Sequence, residues 1–149
     1  MCPVVTFALS DQEYCLDVSC VQEVVRIVAI TPLPAAPPEI LGAINLRGSP
    51  TLVLDLRVRF GLPPLAPTMA SPLLVVKLTD SAPGAELAVL VDRVIGVVHD
   101  ATLPDAAGLV RIADRLVVML NPDDLPTEAV LPLLAHDSGR LPDQISERS

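Results

Sequence analysis

Residues 42–62 read GAINLRGSPTLVLDLRVRFGL, a polar corner followed by an apolar alternation. In an extended chain Leu52, Leu54, Leu56, Val58 and Phe60 fall on one side, and Thr51, Val53, Asp55, Arg57 and Arg59 on the other. That pattern predicts a half-buried strand running on to Phe60. The corner Asn45-Leu46-Arg47-Gly48 is expected to be a surface turn, because Gly48 tolerates a positive φ and Pro50 fixes the entry into the strand while removing a backbone donor. Arg47 is thereby presented in a defined direction, as a recognition group would be.

Towards the amino terminus, Val5, Phe7 and Leu9 alternate with Val4, Thr6 and Ala8. After the turn Ser10-Asp11-Gln12, Tyr14, Leu16 and Val18 alternate with Glu13, Cys15 and Asp17, so a β-hairpin is predicted. Ser19 with Gln22 three residues on forms a capping-box pattern, and Val21, Val24 and Val25 have helical spacing, which predicts a brief helical turn. Arg26 to Ile30 is expected as a strand, and proline-rich Thr31 to Pro38 as a semi-rigid connector. Pro63 to Pro72 is read as a loop, and Leu73 to Leu78, apolar on both faces, as a buried strand. Glu86 to Val91 and Val94 to His99 look like a hairpin about Asp92-Arg93, with Gly96 a bulge. Leu109 to Ile112 and Leu116 to Leu120 form another pair, turning at Ala113-Asp114-Arg115. Asn121 is expected to cap a short helix opened by Pro122, with Asp123 and Asp124 near its positive end. These elements define one domain over residues 1–135, and polar residues 136–149 are expected to be a disordered or loosely attached tail.

The chain has 149 residues, 51% of them hydrophobic, with no Trp and only Phe7, Tyr14 and Phe60 aromatic. A core built from Val, Leu, Ile and Ala follows. Net charge of -8 and a pI near 4.5 oppose binding to nucleic acid or to an anionic membrane face. Mean hydropathy is +0.55, yet no apolar run is long enough to span a bilayer. Cys2, Cys15 and Cys20 lack metal-ligand spacing, and no signal peptide precedes them, so a soluble protein of the reducing cytoplasm is expected. His99 and His136 lie far from the cysteines in sequence. No paired carboxylates, Ser/His/Asp grouping or glycine-rich phosphate loop is present, so no enzyme, cofactor or metal site is expected. The charges in Asp92-Arg93 and Asp114-Arg115 are read as solvated turn residues.

The run Gly42 to Gly61, with its Asn-Leu-Arg-Gly corner and the Asp55-Leu56-Arg57 and Phe60-Gly61 pairs, resembles the CheW-like coupling proteins of bacterial chemotaxis arrays. The resemblance extends to Phe7 and Tyr14, to Val21-Gln22-Glu23-Val24 and Thr31-Pro32-Leu33-Pro34, and downstream to Val91-Asp92-Arg93-Val94 and Asn121-Pro122-Asp123-Asp124-Leu125, in the same order over about residues 4 to 125. It implies an all-β fold of two packed, five-stranded, SH3-like barrels with short helices. It also implies a non-enzymatic adaptor at chemoreceptor clusters, contacting the cytoplasmic tips of methyl-accepting receptors. On this resemblance Arg47 and Glu23 are the leading receptor contacts, with Val21 supplying apolar contact and Asn45, Leu46 and Gly48 shaping the corner. The competing structural role for Arg47 is an ion pair closing the two barrels, with Asp55 as its partner.

The run Arg93 to Ala113 is shorter than the corresponding segment of the family, which predicts an abbreviated second barrel. In the family that barrel contacts the regulatory domain of the chemotaxis histidine kinase. Loss of an edge strand would weaken or abolish that contact, and an unpaired strand would invite self-association. Three readings stand open: an accessory coupler that links receptors without the kinase, a conventional coupler that bridges both, and a small-ligand or enzymatic module on a β scaffold.

Overall fold

Strands that are apolar on both faces, such as those at Pro72–Lys77 and Glu86–Leu90, need two apolar layers to bury them, and the chain folds so that these strands have both. A computed structural model of the chain describes residues 2–27, 29–68 and 70–135. Ten strands are present among them: β1 (Cys2–Leu9), β2 (Gln12–Asp17), β3 (Val21–Arg26), β4 (Ile40–Leu46), β5 (Ser49–Asp55), β6 (Pro72–Lys77), β7 (Glu86–Leu90), β8 (Arg93–Ala101), β9 (Leu109–Ile112) and β10 (Arg115–Met119). Two short helices, α1 (Leu56–Arg59) and α2 (Leu131–Ala135), and 3-10 turns at Val18–Cys20 and Pro122–Asp124 complete the described elements.

The strands form two five-stranded sheets, ordered β8-β1-β2-β10-β9 and β3-β6-β7-β5-β4. Along both orders the pairings run antiparallel, antiparallel, parallel, antiparallel, so the sheets share one plan although the chain fills it in a different sequence. Each sheet is drawn closed at its outer strands. In the first, Thr102 just past β8 donates its N–H to the Arg111 carbonyl (3.2 Å), and Arg111 N–H donates to the Thr102 hydroxyl (2.9 Å). In the second, Thr31 and Ala43 exchange backbone bonds of 2.8 and 2.9 Å. Gly42, at φ 150°, is required there: a Cβ would lie 2.2 Å from the Thr31 carbonyl oxygen.

Three apolar clusters account for both faces. Val4, Cys15, Ala101, Val110, Ile112 and Val117 fill the first barrel. Ile27, Ile44, Leu46, Val53, Leu73 and Leu90 are among those filling the second. The largest cluster lies between the barrels, where Phe7, Leu9 and Leu16 of the first meet Leu54, Leu74 and Leu87 of the second. Tyr14 stacks on Phe7 at 5.9 Å between ring centroids and meets Phe60 at 5.6 Å, so all three aromatic rings serve this junction.

Several expectations need correction. The strand after the corner ends at Asp55, whose carboxylate accepts the Arg57 N–H (3.0 Å) and caps α1. Leu56 and Phe60 are four apart, a separation common to both an alternating strand and one helical turn, so the period misled. Residues Val21 to Val25 are strand rather than helix. The only helical turn nearby is Val18–Cys20, capped by Asp17, and a bulge at Gln22, between the Val21–Val76 and Glu23–Val75 pairs, breaks the alternation. No strand occupies the described part of residues 27–30. β7 and β8 are not a hairpin, because β7 lies between β5 and β6 while β8 crosses to the other sheet beside β1. The run after Asp92 supplies β8 and β9 of the first sheet, not of the second barrel, and costs no strand, since both sheets keep five. The bulge near Gly96, the β9–β10 pair and the Asn121 cap appear as expected. The tail lies outside the described residues.

Candidate partner-binding site

The corner is a two-residue hairpin in which Leu46 opposes Ser49, and both central residues take positive φ, 52° at Arg47 and 86° at Gly48. This is the type I′ geometry that matches strand twist. The Asn45 side-chain oxygen accepts the Gly48 N–H at 2.7 Å and fixes the loop. Arg47, whose side chain is 60% exposed, is held by an ion pair to Glu23 on β3. The two residues expected to meet a partner thus meet each other, and the corner folds back on the β3 edge.

Asp55 is not the partner of Arg47. It is 3% exposed and its carboxylate serves the α1 amides; burial pushes its titration up, against the N–H groups of Arg57 and Val58, which pull it down. Leu46 is 8% exposed and points into the second barrel, so it anchors the corner from inside and offers no contact surface. Val21 is half-buried against the inter-barrel core.

The barrels are joined by charge elsewhere. Arg57 donates from Nε and Nη2 to the two Asp92 oxygens at 2.7 Å each, and Asp92 Oδ2 also accepts the Ser10 N–H at 2.7 Å. The Arg57 hydrogen bond is the chief reason that the Asp92 carboxyl lies below the usual carboxylate range. Asp92 is therefore a structural clasp and not a solvated turn residue. Within the first sheet, Arg115 of β10 pairs with Glu13 of β2 at 2.9 Å, so Arg115 too is not a solvated turn residue. Asp123 accepts from the N–H groups of Thr79, Asp80 and Ser81 and from the Thr79 and Ser81 hydroxyls, at 2.8–3.1 Å. Desolvation pushes this carboxyl up, but those donors outweigh it and hold it far below the ordinary range.

Beside the clasp, β3 and β8 face one another across a groove of about 340 Å³ lined by Val24, Val25, Arg26, Arg93 and Val94. Val24 is 49% exposed on β3, and Ile95 and Val97 are 46% and 52% exposed on β8. Sequence reasoning passed over Val24, Ile95 and Val97. The run Val94-Ile95-Gly96-Val97-Val98 is apolar at nearly every position, so nothing in it tells outward from inward residues.

Among the described residues no group of three or more His, Cys, Asp or Glu could hold a metal ion. Burial in the first barrel pushes the Cys15 thiol up to about 11, and burial raises Cys20 as well, so both are protonated and poorly nucleophilic at neutral pH. No described helix is long and apolar enough to cross a membrane.

Known proteins resemble this chain in architecture and in part of its sequence. The chain is 27% identical over 136 residues to "Chemotaxis protein CheW" of Rhizobium meliloti (strain 1021), covering 84% of this chain and 88% of that one. It is 30% identical over 137 residues to the protein of the same name from Thermotoga maritima, covering 84% and 87%. Among solved structures, the scaffolding protein TtCheW from Thermoanaerobacter tengcongensis superposes with a TM-score of 0.68 at 30% identity, covering 80% of this chain and 88% of that one. The family model described as the CheW-like domain matches residues 3–129, and the chain belongs to that family.

Proposed function

We propose that the protein is a cytoplasmic, non-enzymatic adaptor that joins the cytoplasmic tips of methyl-accepting chemoreceptors to the chemotaxis histidine kinase. The observation that carries the receptor half is the β3–β8 groove, where exposed Val24 lies beside Arg26 and Arg93, with Ile95 and Val97 exposed further along β8 and the Arg47–Glu23 ion pair seated on β3. A receptor tip is a helical hairpin of mixed charge. An aliphatic side chain can enter the groove while a neighbouring carboxylate pairs with an arginine fork.

The accessory reading, in which receptors are linked without the kinase, rested on a missing edge strand. Both sheets retain five strands, which favours the bridging role. Co-elution of the full chain with a receptor cytoplasmic fragment, and separately with the kinase regulatory domain, tests the two halves. Binding to both is expected. Receptor binding alone returns the accessory role, and binding to neither overturns the proposal.

A further inference from the structure

The first barrel carries a second groove that shares no lining residue with the one between β3 and β8. It has a volume of about 550 Å³ and lies among the loop Pro104–Gly108, the end of β10 and the two 3-10 turns. Its apolar lining includes Met119, Leu120 and Cys20, all half-buried. Asp17, Asp105 and Asp124 also line it. One oxygen of Asp17 is used by the Ser19 N–H and hydroxyl, and one of Asp105 by the Ala107 and Leu109 N–H groups. None of the three carboxylates takes part in an ion pair among the described residues.

The groove is built rather than slack. Asp105 staples the loop, and Met119 N–H donates to the Gly108 carbonyl at 2.8 Å, tying the loop to β10. A cleft whose walls are already tied by hydrogen bonds needs little ordering when it is filled. Methionine adapts to varied aliphatic shapes. Three carboxylates outside the ion pairs of the described residues favour cations beside that aliphatic group, and repel nucleic acid and anionic lipid.

We propose that this groove docks a segment of a partner protein in which an aliphatic side chain is flanked by arginines or lysines. The proposal is independent of the receptor reading, since the two grooves differ in lining residues and in charge. The loop that walls it, Pro104 to Gly108, joins β8 to β9 in the first sheet.

The probe is a fluorescein-labelled peptide Ser-Arg-Ala-Leu-Ala-Arg-Ser, followed by anisotropy with the full chain, against forms with leucine replaced by serine or both arginines replaced by glutamate. Both changes are expected to weaken binding about tenfold or more. Asp124→Lys in the protein should do the same while leaving receptor-fragment binding unchanged. Cys20 reports occupancy at alkaline pH, where part of its thiol ionises: bound peptide should slow its alkylation, read by mass spectrometry, and leave that of Cys2 unaltered. Equal binding of the serine form reduces the effect to bulk charge and overturns the proposal, as does an unchanged Asp124→Lys affinity. Tighter peptide binding by Leu141→Ser would give the groove to the chain's own Arg140-Leu141 segment, and binding lost as the protein self-associates would give it to a second copy. Either outcome overturns the partner assignment.

Discussion

The Arg57 guanidinium meets the Asp92 carboxylate at two contacts of 2.7 Å, and through Asp92 it also reaches the Ser10 amide. The turn after β1, the cap region of α1 and the crossing from β7 to β8 are thereby held at one point. Asp92 titrates below its ordinary value of 3.8. A depressed carboxylate contributes stability that is fully present above the unfolded pKa and is lost as pH falls through the folded one. Asp123 contributes with the same sign, and Asp55, whose titration is raised, with the opposite sign.

Asp92→Asn should lower the thermal midpoint at pH 7 by several degrees. It should also flatten the fall in stability between about pH 5 and pH 2, because the unfolded chain no longer binds an extra proton there. Chemical denaturation at a series of pH values measures both. An unchanged acid limb would show that the clasp carries no linkage.

Arg47→Glu places two carboxylates together at the corner, and Glu23→Arg places two cations. Receptor-fragment binding should weaken about tenfold in Arg47→Glu. The charge-swapped double variant should regain thermal stability, since it restores the ion pair. Loss of receptor binding that persists in the stable double variant would separate recognition from a structural role of the pair. Full recovery of binding would make the corner structural.

Phe7→Ala empties the centre of the inter-barrel layer and removes the stack with Tyr14. A loss of about 3–5 kcal/mol is expected by urea denaturation. The same truncation at exposed Leu103, which is 68% exposed, should change stability by less than about 0.5 kcal/mol.

Ala113 turns the β9–β10 hairpin at φ 55°, a conformation that strains a residue with a Cβ and suits Asn or Gly. Ala113→Asn should stabilise by about 0.5–1 kcal/mol. Gly42→Ala should do the reverse and far more strongly, because its Cβ collides with the backbone of Thr31. Thermal melts of the two variants should move in opposite directions.

How much was legible in sequence depended on whether a signal was local. The first hairpin, the Arg47-Gly48 turn and the Asn121 cap are set by neighbouring residues, and they were read correctly. The end of β5 was missed because Leu56 and Phe60 satisfy two periods at once, with Asp55 deciding between them by a single hydrogen bond. The path from β7 to β8 was missed for another reason. Asp92-Arg93 looks like a hairpin turn, and only the pairing of β8 with β1, some ninety residues earlier in the chain, reveals a crossing. The Arg47–Glu23 pair was half legible: both residues were singled out, but their meeting depends on closure of the second barrel. Ile95 and Val97 could not be picked out, since exposure within the apolar run Val94 to Val98 is a property of the packed fold, and Val24 was misplaced because β3 reads as a helical turn.

The distribution of strands between the barrels sets an order of assembly during synthesis. The second barrel is drawn from one continuous stretch, β3 to β7, whereas the first unites β1 and β2 with β8, β9 and β10. As the chain leaves the ribosome, the second barrel can close while the opening hairpin still waits for its remaining partners. Phe7, Leu9 and Leu16 lie on that waiting hairpin, and they cover the outer face of the second barrel through the shared layer. The nascent hairpin can therefore shield its neighbour's apolar surface before its own barrel exists, and a ribosome stalled before β8 would hold one closed barrel capped by two strands.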